Sequence, residues 1–470
     1  MGTISSAFSL ISGALDANQS ALSIVANNVA NANTPGYTRE VPTWRENTPI
    51  EINGIRYGTG VTQAGATSVR DRVLLARLDQ QQQLASASGA RLAALDTLQG
   101  LFTPNSGSSN SNAGDIGSDI TTFFSSFSSL EANPTNNALR QQVLSSAKTL
   151  AGDISNAASS VHAQRSSLDQ QASGITGQVN ALTGQIAQLN MQIQSTSPNG
   201  DAGILEDQRQ QALSKLSQLI GINQVTTENN GLSITTTSGQ PLVSQGSSYA
   251  LSTGTVGGLS HFFVGTTDVT SQLASGGGQL GGLLKARDVD IPSVLNALDQ
   301  LAYNISTSVN TQNNAGTDLA VDDGTSANLF SQRPVIAGSA ETMRVVMTDP
   351  NRIAAAGAGQ ATGDNSNAIA LANLAQQTIV DGQSPINYYS GFVTMLGSTV
   401  SQVQSENTAE NASVTQLQTQ NNALSAVNLN DEAAAMMMIE RSYQAGAKVF
   451  AMLNTLMGSA INLGSATTVS

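Results

Sequence analysis

The 470-residue sequence has no cysteine. That excludes disulfides, zinc thiolates, iron–sulfur centres and cysteine nucleophiles. Histidine occurs only at His162 and His261, too few for a histidine-rich metal site. Aromatic residues make up 4%, and Trp44 is the single tryptophan, so burial must rest on Ala, Leu, Ile and Val seams. Charged residues are 11%, against roughly 25% in an average soluble protein. The charge present is acidic, with 19 Lys and Arg, 32 Asp and Glu, and a net −13. Such a chain is a poor partner for nucleic acid or an anionic membrane. The N-terminus has neither a basic lead nor an unbroken apolar run, so no secretory signal or transmembrane helix is expected.

Heptad spacing dominates what remains. Ile4, Phe8, Ile11, Leu15, Asn18, Leu22, Val25, Val29 and Ala32 follow a 4/3 rhythm, the pattern of a coiled-coil seam. Leu10, Ala14, Ala17, Ala21 and Ile24 add a second stripe, so this helix needs more than one neighbour. Pro35-Gly36 ends it in a turn. The C-terminal helix repeats the rhythm at Leu429, Ala433, Met436, Glu440, Tyr443, Ala447, Phe450, Asn454, Met457 and Ile461. A helix before it carries Tyr389, Leu396, Val403 and Leu417.

Between the ends, residues 40–69 predict extended chain, with turns at Asn53-Gly54 and Gly58-Thr59-Gly60. A helix is expected from Val69 to Leu101, a flexible loop over 103–115, and a short helix carrying Phe123, Phe124, Phe127 and Leu130. From Thr135 to Thr196 there is no proline; one helix there would be about 90 Å long. Gly152, Gly174, Gly177 and Gly184 mark where it would kink or break, and Ser197-Pro198-Asn199-Gly200 ends it. A helix over 203–220 precedes a Thr-rich alternating stretch, 222–270. Helices at 279–313 and 366–380 flank a short strand at Met343–Thr348. The expected fold is mainly α with a small inserted β domain. Residues 1–33 and 429–470 pair as a terminal coiled-coil layer, 34–221 and 276–428 form a long-helix core, and 222–275 form a β-rich outer domain.

Ala26-Asn27-Asn28-Val29-Ala30-Asn31-Ala32-Asn33-Thr34-Pro35-Gly36-Tyr37-Thr38-Arg39 resembles the N-terminal signature of bacterial flagellar rod, hook and hook-associated proteins. Its Thr-Pro-Gly-Tyr ending resembles the first class of hook-associated proteins, at the hook–filament junction. Ser425 to Ala433, Arg441 to Val449 and Leu456 to Leu463 resemble that family's C-terminal helix, and 278–288 and 363–368 its interior. The resemblance implies a structural adaptor, extracellular after a transient cytoplasmic stage, exported by the flagellar type III apparatus. Its implied partners are the hook protein, the second hook–filament junction protein, copies of itself and a cytoplasmic export chaperone. The seam candidates are Phe8, Ile11, Leu15, Leu22, Val25, Val29, Met436, Tyr443, Phe450 and Met457. The motif candidates are Asn27, Asn28, Asn31, Asn33, Thr34, Pro35, Gly36 and Tyr37, with amide bonding between subunits set against simple fraying of the helix end. Met437, Met438, Val449 and Met452 are the chaperone candidates, with core packing as the plainer reading of the Met run.

Other motifs carry less. Gly276 to Gly281 spells G-x-G-x-x-G without the β/α alternation a dinucleotide site requires, so a hinge is expected there. Asp318, Asp322 and Asp323 before Gly324 lack the spacing of an EF-hand. No nucleophile elbow with a credible histidine is present. Neither cofactor nor metal nor catalytic residue is assigned. The alternatives are a hook or rod subunit, a secreted enzyme acting through 222–275, and a type III translocator, which would need an apolar membrane segment.

Overall fold

The computed structural model describes residues 2–52, 54–102, 115–197, 201–320 and 327–465. The expected loop at 103–115, the acidic run at Asp322 and Asp323, and the Pro198-Asn199-Gly200 stop lie wholly or mostly outside these. The chain opens with helix α1 (Gly2–Ala30). A ribbon follows, of β1 (Glu40–Glu46), β2 (Ile50–Ile52), β3 (Ile55–Tyr57) and β4 (Val61–Ser68). Then come helices α2 (Arg72–Gly100), α3 (Ile116–Glu131), α4 (Asn137–Thr196) and α5 (Ile204–Leu219). Next are strands β5 (Ile222–Thr226), β6 (Leu232–Thr236), β7 (Pro241–Ser244), β8 (Ser247–Ser248), β9 (Leu251–Val256), β10 (Leu259–Val264) and β11 (Thr267–Asp268). The chain closes with α6 (Thr270–Gly276), α7 (Gly278–Lys285), α8 (Ile291–Asn314), α9 (Ser339–Thr342), α10 (Ser366–Asn373), α11 (Pro385–Ser425) and α12 (Leu429–Ser465).

Local chemistry starts these helices where the sequence suggests. Asp71 caps α2 by accepting from the Val73 and Leu74 amides, and Asn136 caps α4 in the same way. Ser384 caps α11, with Pro385 in the first turn. Along α4 one apolar stripe is buried from Val143 to Ile193. Its first half packs on α3, where Phe123 meets Phe127 and Phe330 edge to face. Arg140, 1% exposed, is held there by the Pro134 carbonyl at 2.8 Å and by the Ile353 carbonyl.

The second half of α4 carries the β segment. Strands β5-β6-β7-β8 form one antiparallel sheet and β9-β10-β11 another. Leu232, Ile234, Val243, Leu251 and Phe262 join the same core as Val179 and Ile186 of α4. Asn180 exchanges two 2.8 Å bonds with the Leu251 backbone, and Asn190 donates to the Leu232 and Gln245 carbonyls.

Four details differ from the sequence reading. Helix α4 runs unbroken for 60 residues; its four glycines face open space, so their cost is propensity alone and packing outweighs it. Residues 343–348 form no strand, only a bridge between Phe330 and Val345, because Met343 and Met347 are buried in the helical core rather than on a sheet. The 366–380 helix stops at Asn373. The 279–313 stretch is interrupted by a π turn, Ala286–Asp290, which seats buried Arg287 between Asp169 of α4, Asp288 and the Ser260 carbonyl.

The G-x-G-x-x-G run is the crossing point of the β segment. A Cβ on Gly221 would lie 1.8 Å from the Gly276 carbonyl oxygen, and one on Gly278 (φ +71°) 2.4 Å from the Ile220 backbone. The outgoing and returning chains touch there, backbone to backbone. A helix rather than a strand precedes this glycine turn, so the phosphate-cradling context is missing.

Candidate functional site

The two chain ends meet. Helix α1 packs along α12 and against β1 and β4. Ala17, Ala21, Val25 and Asn28 are its buried positions, so the inward face follows the small-residue stripe as much as the large one. Phe8 stacks on Phe450 with centroids 4.3 Å apart, and a Cβ on Gly446 would lie 3.1 Å from Leu15 Cδ2. Ile11, Leu15 and Met436 are half-buried beside them.

The remaining seam candidates face outward. Leu22 and Val29 on α1 are exposed, as are Tyr443 and Met457 on α12. So are Met437, Met438, Val449 and Met452, with Leu456 and Ile461 extending the strip. Within one chain the helix pair therefore leaves many large apolar side chains of both helices exposed.

The motif closes the open end of the pair. Asn28 is 1% exposed, and its amide is fully engaged. Its Nδ2 donates to the Glu40 carbonyl at 2.8 Å and to Glu432 Oε2 at 3.1 Å. Its Oδ1 accepts from the Glu40 amide at 3.0 Å and the Tyr37 hydroxyl at 2.9 Å. Arg39 donates through Nε to the other oxygen of Glu432, which is itself 1% exposed. Burial, together with Glu40, Asp207 and Glu432, pushes the Tyr37 phenol up to about 12, so it stays a donor. The side chains of Asn27, Asn31 and Thr34 bond among themselves: Asn31 donates to Asn27 Oδ1 at 2.9 Å and accepts from the Thr34 hydroxyl at 3.1 Å. Asn33, Thr34 and Pro35 are exposed. Gly36 has φ +75°, and a Cβ there would lie 2.5 Å from Gln211 Nε2, which donates to the Pro35 carbonyl at 3.0 Å.

Next to the turn, a charged cluster fastens it to the core. Thr38 donates to Asp207 through its amide (2.9 Å) and hydroxyl (2.6 Å). Arg70, itself buried, bonds both Glu206 and Asp207 of α5, and Arg72 bonds Glu206 at 3.0 Å. Asp201 takes the Ser68 amide and hydroxyl. Desolvation opposes its charge, yet the Gly203 and Ser68 bonds and nearby Arg70 hold its carboxyl below the ordinary range.

A cleft of about 220 Å³ lies at this joint, between the motif turn, α2, α5 and the end of α11. Four residues along it have a buried side-chain atom with no protein partner: Arg70 Nε, Asp79 Oδ1, Asn421 Oδ1 and Ser425 Oγ. Desolvation pushes Asp79 up to about 6, even though Gln210 and Gln224 hydrogen-bond its other oxygen.

Sequence reasoning missed Glu432, Arg70, Glu206, Asp207 and Asp79 as members of this joint. A signal was available, because charges are scarce in this chain and these cluster at motif boundaries. His162 lies 3.7 Å from Glu341, and His261 sits 2.6 Å from Asp268; both pairs are part-exposed. Among the described residues, no three His, Asp or Glu are grouped to hold a metal. Among the same residues, no helix is long and apolar enough to cross a membrane.

A mainly helical body with its two chain ends paired, small sheets and no grouped catalytic or metal-binding residues among those described has the character of a structural protein. The family description "Flagellar hook-associated protein FlgK helical domain" matches residues 107–330, and "Flagella basal body rod protein" matches residues 11–38. Flagellar hook-associated protein 1 of Bacillus subtilis is 26% identical over 505 aligned residues, covering 96% of both chains. The Escherichia coli protein of the same name is 24% identical, covering 96% of this chain and 98% of its own. The flagellar hook junction protein FlgK from Burkholderia pseudomallei has the same fold, with TM-score 0.63 and 20% identity over 73% of this chain and 99% of that one. Over nearly its whole length the chain is thus similar to flagellar hook-associated proteins, which are structural proteins and not enzymes.

Proposed function

We propose that this chain is the adaptor that joins hook to filament. Copies pack through the outward apolar face of the α1–α12 pair into an inner layer, with the helical body outside it. The observation that carries this reading is the uncovered strip on the helix pair: Leu22 and Val29 on one helix, and Tyr443, Val449, Met452, Met457 and Ile461 on the other. So many exposed large apolar side chains on two paired helices are costly in water and mark surface meant to be buried. Its partners are further copies, the hook protein and the second junction protein.

Export is what the likeness to hook-associated proteins implies. The subunit leaves the cytoplasm through the flagellar type III apparatus to its place on the extracellular flagellum. Before export, a chaperone covers the Met437, Met438, Val449 and Met452 face. Methionines suit such a temporary contact because their side chains adapt to different partners.

The test is genetic. Deleting the gene removes filaments but leaves hooks, and filament protein appears in the medium. Reintroducing the chain with Leu22→Asp fails to restore filaments although the protein is made and folded. A deletion strain lacking hooks would make the chain a hook or rod component. Normal filaments in that strain would end the adaptor reading.

A further inference from the structure

Helices α3 and α4 meet along a polar edge as well as an apolar one. Ile116, Ile120, Phe123, Phe127 and Leu130 of α3 are buried. Beside them, Ser146 of α4 donates to the Ser126 hydroxyl of α3 at 3.1 Å. The helices are joined by a short turn and run antiparallel, so a step back along one matches a step forward along the other. Seven residues before Ser126 stands Asp119, and seven after Ser146 stands Asp153. Seven residues are close to two helical turns, so each Asp shares the face of its Ser. Thr122 and Thr149 fall between, lining a cleft of about 230 Å³ with Asp119 and Ser146. This register brings the two carboxyls within hydrogen-bond reach of each other.

As two acceptors, they cannot bond. Asp119 Oδ2 is buried and receives no hydrogen bond, and two carboxylates at such range repel. Little nearby relieves them. From residue 92 to 139 the chain has four acids and no Lys, Arg or His. Asp115, at the cap of α3, adds a further negative charge. On α4, Lys148 is exposed. On α11, Tyr389 keeps its proton, with burial, Asp115 and Asp119 pushing its phenol up to about 12. Helix α10 brings no titratable group, and Glu341 of α9 lies beside His162.

We infer that Asp119 and Asp153 share one proton, taken from solvent, and that this proton is a latch between α3 and α4 that opens in alkali. With the proton on Asp119, its hydroxyl donates to the Asp153 carboxylate, a charge-assisted bond. Without it, two like charges face each other and the polar edge parts. The apolar edge remains, so α3 loosens rather than unfolds.

The sign follows from linkage. Burial, then Asp153 and Asp115, push the Asp119 carboxyl up to about 7, above the ordinary aspartate value near 3.9. The folded state therefore binds the proton more tightly than the unfolded state. The latch contributes fully below about pH 4 and is lost as pH rises through about 7.

Amide hydrogen exchange on the full-length chain, read peptide by peptide between about pH 6 and about pH 9, tests this. In the wild type, protection of the α3 amides should fall by up to about tenfold per pH unit above about 7. Asp119→Asn and Asp153→Asn should each flatten that slope, because an amide donates to the remaining carboxylate without a proton to lose. At the alkaline end both variants should be better protected in α3 than the wild type. Circular dichroism checks that they fold. Asp79→Asn, at the other titrating site, should leave the α3 slope unchanged.

Wild-type α3 protection that does not change with pH overturns the inference. So does an unchanged slope in both Asn variants. Loss of the α3 slope in Asp79→Asn overturns it as well, because the controlling proton would then sit at the joint.

Discussion

Asn28 and Glu432 stand 404 residues apart in sequence and share a buried hydrogen bond of 3.1 Å. One side chain from the N-terminal motif and one from the first turn of α12 thereby lock the two ends of the chain in register. The bond also explains why an amide serves at position 28. Asn offers two donors and an acceptor oxygen that takes two bonds, and all are used here.

Replacing Asn28 with Ala leaves the Glu40 backbone groups and Glu432 short of partners. A cost of about 3 kcal/mol is expected for docking α1 on α12. Asn28→Asp should be at least as harmful, because it sets a carboxylate against Glu432. Limited proteolysis of the purified chain reads this directly: both variants should release the terminal helices faster than wild type while the core resists. Equal cleavage rates would mean the joint does not depend on this amide.

Val25 and Leu22 separate folding from assembly. Val25 is buried and Leu22 exposed on the same helix. Val25→Asp should loosen the α1–α12 pair by about 3 kcal/mol, since it buries an unpaired charge. Leu22→Asp should leave monomer stability within about 0.5 kcal/mol yet block filament formation in cells. Denaturant unfolding together with a motility assay distinguishes them. Restored motility with Leu22→Asp would remove the outward strip from the interface.

Asp79 predicts a pH effect with a definite sign. Its folded pKa is about 6, above the ordinary aspartate value near 3.9. The folded state therefore holds the proton more tightly than the unfolded state. Its contribution to stability is full below about pH 4 and is lost as pH rises through about 6. Asp79→Asn should remove that slope, gaining up to about 3 kcal/mol over wild type at pH 7 and little at pH 4. Urea unfolding at the two pH values measures the difference; a variant gain independent of pH would contradict this account.

Two glycines differ in how they can be substituted. At Gly278, a Cβ meets the Ile220 backbone, which has no rotamer to yield, so Gly278→Ala should destabilise by about 3 kcal/mol or more. At Gly36, the obstacle is the movable Gln211 side chain. Gly36→Ala should therefore cost about 1–2 kcal/mol, mainly for the left-handed backbone. Thermal unfolding of the pair ranks them, and the reverse order would show that the strand crossing can relax.

Much of the architecture was legible in residue spacing. The 4/3 runs at both ends, the proline-free stretch before Thr196 and the Thr-rich alternation after Ile222 each became the element they suggest. Spacing did not decide the rotation of the terminal helices. A helix with two apolar stripes has two candidate faces, and alanines at 17 and 21 won the inward position because they allow closer approach. Tyr443 and Met457 share the heptad rhythm of Phe450 yet stay exposed. The joint was less legible still. Its members come from six separate segments, and no local pattern couples Arg70 to Glu206 or Asn28 to Glu432. The rarity of charge in this chain was the one signal that could have drawn attention to Glu432 and Arg70, and it went unused.

Helix α4 has a mechanical consequence. Sixty continuous residues make a rod of about 90 Å, and each residue also advances the helix face by about 100°. The rod is therefore a dial as well as a ruler. Deleting one residue near its middle would shorten it by only about 1.5 Å but swing the whole β segment a quarter turn or more around the axis. Removing seven residues, close to two full turns, would shorten it by about 10 Å and nearly restore the heading. Insertions and deletions tolerated here should thus come in sevens, the count that changes the rod's length while keeping its heading.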